Sequence, residues 1–119
     1  MAKEITGKLV LNAVKGGAKI SRSESFTIDM TGNSFSSGVQ SIPNSGGEAL
    51  VEADELGTAG YVFVKNLDST NYVTLGSHAS SNHTIKLKAG ESTIFRAAGT
   101  VYGLANTAAC NVEYIIIED

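Results

Sequence analysis

The chain has only two imidazoles, His78 and His83, and both lie in the polar stretch Ser77-His78-Ala79-Ser80-Ser81-Asn82-His83. A histidine beside a hydroxyl or thiol offers general-base activation of a nucleophile. Nothing like a Gly-x-Ser-x-Gly elbow accompanies either one. As metal ligands they lack third and fourth donors nearby, and structural zinc takes four. They read as solvated loop residues. Paired carboxylates can flank a glycosidic bond, and acids cluster at Glu52, Asp54 and Glu55 and again at Glu118 and Asp119. The first cluster runs into Leu56-Gly57, a strand exit, and the second closes the sequence, so both read as solvated. The single cysteine, Cys110, cannot form an intramolecular disulfide. It lies on the apolar face of its segment and reads as a small buried hydrophobe with little reactivity. No Gly-x-x-x-x-Gly-Lys-Ser/Thr or Gly-x-Gly-x-x-Gly loop occurs. The expectation is a protein that is not an enzyme and that holds no cofactor and no metal.

Charge narrows the partners. Nine basic against twelve acidic side chains give a net charge of -3, whereas a grip on nucleic acid or an anionic membrane shows as a basic patch. Neither partner is expected. No apolar run approaches the roughly 20 residues that span a bilayer. Met1-Ala2-Lys3-Glu4 opens without the apolar segment of a signal peptide, so synthesis in a cytoplasm is expected. At 119 residues the chain reads as one domain, 1–119, with room for a single core.

The elements follow from composition and period. Gly, Ser, Thr and Asn supply 44 of the 119 residues, which suits turns and strands and disfavours helix interiors. Almost no helix is predicted. Ser25 to Thr31 alternates Phe26, Ile28 and Met30 with Ser25, Thr27 and Asp29, and Thr84 to Lys88 sets Ile85 and Leu87 against Thr84, Lys86 and Lys88. These are half-buried strands. Further strands are predicted at Ile5 to Val14, Gly38 to Ile42, Glu48 to Glu52, Gly60 to Asn66, Tyr72 to Gly76, Ser92 to Arg96, Val101 to Ala105 and Cys110 to Ile117. Turn residues such as Lys15-Gly16-Gly17, Asp68-Ser69-Thr70-Asn71 and Ala89-Gly90-Glu91 separate them. About ten short strands exceed what one twisted sheet holds comfortably, so an all-β antiparallel sandwich, jelly-roll-like, is the predicted fold.

Some strands are apolar on both faces. In Cys110 to Ile117, one face carries Cys110, Val112, Tyr114 and Ile116, while the other ends in Ile115 and Ile117. In Gly60 to Asn66, Val62 and Val64 oppose Tyr61 and Phe63. Such strands are either central in the fold, with other segments over them, or part of a subunit interface. The Gly/Ser-rich segment Gly32 to Gly47 carries Phe35, Val39 and Ile42, and reads either as a mobile loop or as a hairpin arm docking on a neighbour. Phe35, Val39, Ile42, Ile115 and Ile117 are therefore the candidate interface residues.

Three stretches carry a resemblance. They are Gly60-Tyr61-Val62-Phe63-Val64-Lys65-Asn66-Leu67-Asp68-Ser69-Thr70-Asn71-Tyr72-Val73, then Ile85-Lys86-Leu87-Lys88-Ala89-Gly90-Glu91, and finally Tyr114-Ile115-Ile116-Ile117-Glu118-Asp119. From Gly60 onward the chain resembles small structural proteins of tailed bacteriophages, in which a strand, Asn-Leu-Asp-x-Thr-Asn, strand hairpin precedes a Lys-x-Gly-Glu turn. The motif also has a physical reading, in which Asn66 and Asp68 cap the turn, Thr70 and Asn71 close it, and Tyr72 packs across from the outgoing strand. The resemblance implies a virion component made in the bacterial host cytoplasm. A capsid cement or decoration protein is the expected role, self-associating as a homotrimer and stabilising the major capsid protein lattice. A tail, baseplate or head-to-tail connector piece is the alternative. A carbohydrate-binding module fits less well, because sugar platforms use exposed aromatic rings and the chain has no Trp and four Tyr, all within predicted strands.

Overall fold

The structure, a computed structural model, describes residues 4–30, 32, 34–50 and 59–118. The chain divides into two compact units, Met1–Thr31 and Gly32–Asp119. No helix occurs among the described residues.

The first unit is a β-hairpin. Strands β1 (Ile5–Lys15) and β2 (Ala18–Ile28) pair antiparallel without a register break, from Ile5 opposite Ile28 to Lys15 opposite Ala18. Gly16 and Gly17 join them with φ of 58° and 86°. A two-residue turn with both central residues at positive φ matches the right-handed twist of the strands, and glycine reaches that region without a Cβ penalty. At the base of the hairpin, the Met30 N–H donates to Glu4 Oε1 at 3.0 Å. The predicted strand at Ser25 to Thr31 is thus the end of a longer one that stops at Ile28. The Ala18 to Glu24 portion alternates too weakly to be read from composition, and it is the Gly-Gly turn that fixes its pairing.

Among its described residues the second unit holds eight strands: β3 (Phe35–Ile42), β4 (Glu48–Ala49), β5 (Ala59–Asn66), β6 (Val73–Gly76), β7 (His83–Leu87), β8 (Ser92–Arg96), β9 (Tyr102–Ala105) and β10 (Cys110–Glu118). They form two four-stranded antiparallel sheets, ordered β3-β10-β5-β8 and β4-β9-β6-β7. The first strand of the unit lies beside the last, and every connection but β6 to β7 crosses between sheets. That connectivity is a jelly roll. The fold class expected from the sequence is therefore observed, with eight strands in the sandwich among the described residues. Among the described residues β1 and β2 pair only with each other. Of the expected strand Glu48 to Glu52, Glu48 and Ala49 are β4, while residues 51–52 lie outside the described residues, as do the clustered carboxylates Glu52, Asp54 and Glu55.

The core lies between the two sheets. Ile42, Val62, Val64, Val112 and Ile116 from the first sheet meet Val73, Leu75, Leu87 and Ala105 from the second. Burying each Val, Leu or Ile stabilises the fold by about 1.5–3 kcal/mol, before the entropy of ordering it. The sheets approach closely at Gly103, where an added Cβ would meet Ile42 Cδ1 and Cγ2 at 3.2 Å. Cys110 is buried in this core, as expected, and burial followed by the charge of Asp68 raises its thiol pKa.

Asn66 ties the sheet crossings together. Its side chain is fully buried, and its Nδ2 donates to the carbonyls of Asn71 (2.9 Å) and Leu87 (3.1 Å), while Oδ1 accepts from the Asp68 N–H (2.9 Å). Its backbone exchanges bonds with the turn before β8: Asn66 N–H donates to Glu91 O at 2.9 Å and Gly90 N–H to Asn66 O at 3.0 Å. The Asn-Leu-Asp-x-Thr-Asn and Lys-x-Gly-Glu stretches are thus one bonded corner. The sequence expectation of a hairpin at the first stretch is corrected, because β5 and β6 belong to different sheets. The capping itself is as expected: Asp68 Oδ2 accepts from the N–H groups of Thr70 (2.9 Å) and Asn71 (2.6 Å). Tyr72 does not pack across a β5–β6 hairpin; its ring lies under Lys86 of β7, with Nζ 4.2 Å from the centroid.

Candidate interaction face

The outer face of the β3-β10-β5-β8 sheet follows from strand parity. Cross-strand partners share a face with Cβ atoms about 4.5–5.5 Å apart. Phe35 is opposite Ile117, and the next row runs Ser37, Ile115, Phe63 and Ile94 across all four strands. The row after that places Val39 beside the polar Glu113, Lys65 and Ser92. Phe35 is 71% exposed and Val39 63%, while Ile94 and Ile115 are also exposed and Phe63 and Ile117 are half-buried. Beside them Arg96 stands over the Tyr61 ring, 5.2 Å from its centroid. The result is an apolar stripe on the outer face of the sheet, bordered by Glu113, Lys65 and Arg96.

Four of the five candidate interface residues share this face. Phe35 and Val39 are on β3, and Ile115 and Ile117 are directly across from that strand on β10. Ile42 differs. It is 0% exposed, because the two-residue period of β3 turns position 42 away from positions 35 and 39 and into the core. The mobile-loop and hairpin-arm readings of Gly32 to Gly47 are likewise corrected: Phe35 to Ile42 is an edge strand paired along its length with β10. Glu118 reinforces its start, its N–H donating to Ser34 O at 2.8 Å and its Oε1 accepting from Ser34 N–H at 3.0 Å. Sequence reasoning missed Phe63 and Ile94 as members of the face. Their parity is legible, but the pairing that sets them beside Ile115 is not.

Elsewhere, the histidines brace a loop. His83 Nε2 lies 2.6 Å from the His78 carbonyl oxygen and its Nδ1 2.8 Å from Thr74 Oγ1, and His78 Nδ1 lies 3.2 Å from Ser81 Oγ. A carbonyl only accepts, so Nε2 carries a proton and donates it to the His78 carbonyl. His83 is half-buried rather than solvated, and this arrangement spends both ring nitrogens on holding Ser77 to Asn82 against β6. Nearby, an open cleft of about 450 Å³ is walled by Leu75, Ile85, Phe95 and Val101, with Ser77, Asn82, Thr84 and Thr100 at its polar side. Among the described residues, no carboxylate, imidazole or ammonium group lines it. Among the described residues, no group of three or more His, Cys, Asp or Glu side chains could hold a metal ion.

A scan against protein-family models and a search of curated proteins for similar sequences both return no match.

Proposed function

We propose that this chain is a non-enzymatic structural protein of a tailed-bacteriophage virion: a capsid cement or decoration protein that lays the outer face of the β3-β10-β5-β8 sheet on the major capsid protein lattice. The observation that carries the reading is the stripe of exposed Phe35, Ile115, Ile94 and Val39, with half-buried Phe63 among them, on the outer face of one sheet. Contiguous exposed apolar surface of this kind marks contact surfaces on proteins. The resemblance of the chain from Gly60 onward to phage structural proteins supplies the class of partner.

The energetics favour many copies. A stripe burying on the order of 400 Å² at ~25 cal/mol per Å² contributes about 10 kcal/mol gross, and association costs of similar size leave little net affinity for one copy. Joining copies, as a homotrimer on a symmetric lattice would, makes each further contact intramolecular and raises the total grip without new chemistry. Reinforcement of a shell needs only that.

The test is made on particles released by cells carrying the gene. Heads and tails are separated by density and the chain is sought in each by mass spectrometry. It is expected on heads, and Phe35→Asp and Ile115→Asp variants that keep the native circular dichroism are expected to be lost from them. A chain found only on tails or connectors moves it to that station, and a chain found only in the unassembled soluble fraction overturns the reading.

A further inference from the structure

β3 lies at an edge of its sheet, bonded on one side to β10 and on the other to no strand among the described residues. The phase of its ladder says which groups are left over. Glu118 N–H donates to Ser34 O at 2.8 Å, and on the other side of β10 Leu67 N–H donates to Asn111 O at 2.9 Å. Bonded pairs alternate along an antiparallel ladder, so the even-numbered residues of β3 turn their backbone groups to β10. Phe35, Ser37, Val39 and Ser41 therefore turn N–H and C=O outward, and all four residues are exposed.

Open edges are templates for further pairing, and proteins guard them with charged side chains, proline, register breaks or brevity. The other edges of this chain are guarded. β4 has two residues, β7 carries Lys86, β8 ends at Arg96, and in the hairpin β1 carries Lys8 and β2 carries Arg22. β3 has none of these devices. Its eight residues include no charge and no proline, its ladder with β10 runs without a break, and residues 30–47 carry no charged side chain.

We propose that this edge takes the β3 strand of a second copy of the chain, antiparallel about a two-fold axis at Gly38, so that two four-stranded sheets join into one. The leftover groups select an extended backbone as the occupant, because a row of N–H and C=O at strand spacing is matched by another strand. The sequence of β3 selects its own copy. With the axis at Gly38, Phe35 is opposite the partner's Ser41 and Ser37 is opposite the partner's Val39. Outward groups then meet outward groups in every pair, and none is left over. Phe35 also comes diagonally beside the partner's Val39, within reach of an aromatic ring. At 71% and 63%, these two are the most exposed large apolar side chains among the described residues of the second unit. An uncharged strand meets its copy without like-charge repulsion. The contact is isologous and each copy has one such edge, so association through it stops at two.

An edge of eight residues makes a contact below the standard size, so the pairing is reversible and depends on concentration. It does not rest on the virion reading and goes beyond it.

The test is light scattering after size exclusion on the full chain over a hundredfold concentration range, with amide hydrogen exchange followed residue by residue at both ends of that range. The mass is expected to rise from monomer to dimer, or from trimer to hexamer where the sheet faces also associate in threes. Exchange at Phe35, Ser37, Val39 and Ser41 is expected to slow by about tenfold or more in the paired species. Val39→Lys supplies the missing guard, and Ser37→Pro removes an outward N–H while sparing the bonds to β10. Each is expected to weaken pairing by about tenfold or more. Ile94→Asp, on the outer face of the strand at the opposite edge, is expected to leave the two-fold pairing unchanged, which separates edge pairing from association through the apolar face. A monomer or a simple trimer at every concentration, open-ended growth, edge amides that stay unprotected in the larger species, or equal loss from Ile94→Asp overturns the proposal. None of these bears on whether the chain is found on heads.

Discussion

Replacing Asn66 with Ala tests whether one buried amide holds the sheet-crossing corner together. The side chain is 0% exposed and makes three hydrogen bonds to backbone groups of Asp68, Asn71 and Leu87. Each contributes about 0.5–1.5 kcal/mol net. Their loss, with a small cavity at the site, comes to about 3–4 kcal/mol against a total stability of about 5–15 kcal/mol. For a unit of this size the transition should fall by on the order of 15 °C, read by calorimetry and by urea titration of the full chain. Asn66→Asp sharpens the test by keeping volume while turning a two-bond donor into an oxygen facing the carbonyls of Asn71 and Leu87. The introduced carboxyl has its pKa raised in the folded state, so its protonated form is favoured there and stability falls as pH rises through the unfolded value of about 3.9. Asn66→Asp should therefore be at least as unstable as Asn66→Ala at neutral pH and recover part of the loss near pH 4. A loss below about 1 kcal/mol in both variants at neutral pH would refute the reasoning.

Three further outcomes are expected. Gly47 has φ +66° and an added Cβ would overlap the Ala79 carbonyl oxygen, whereas at Gly99 a Cβ meets nothing within 4 Å. Gly47→Ala should cost about 2–4 kcal/mol in urea denaturation and Gly99→Ala less than about 1. The backbone N–H groups of Asn71 and then Thr70 hold the Asp68 carboxyl below its ordinary value of 3.8. Its contribution is present above that value and lost as pH falls through the depressed folded one, so acid titration of Asp68→Asn should show a shallower loss of stability below about pH 4 than the parent. Burial raises the thiol pKa of Cys110, so a thiol reagent should label it at neutral pH only as fast as the second unit opens, and fast labelling of the native protein would contradict the burial.

The sequence by itself determined most of the strand segments and their apolar faces, but not the Ala18 to Glu24 part of β2 or the start of β3 at Phe35. Alternation at Thr84 to Lys88 and the continuous apolar runs at Gly60 to Asn66 and Cys110 to Ile117 correspond to β7, β5 and β10. Turn chemistry was equally legible at Asp68 and at the Gly16-Gly17 pair, because Asx bonding and positive φ are local properties. Parity even sorted Phe35 and Val39 from Ile42, although reading all three as one surface ignored it.

Partnership was decided only by tertiary structure. Whether Asn-Leu-Asp-x-Thr-Asn closes a hairpin or carries the chain from one sheet to the other depends on where β5 and β6 find their neighbours, and those are β8 and β10 for one, β7 and β9 for the other. Period two says which side chains share a face of a strand and nothing about which strand lies beside it. For that reason the row Ser37, Ile115, Phe63, Ile94, drawn from four distant segments, came from pairing alone. The same holds for the first two strands, which bond only to each other among the described residues. Local propensity fixes the shape of each piece, while the burial that selects among pairings is a property of the whole packed unit.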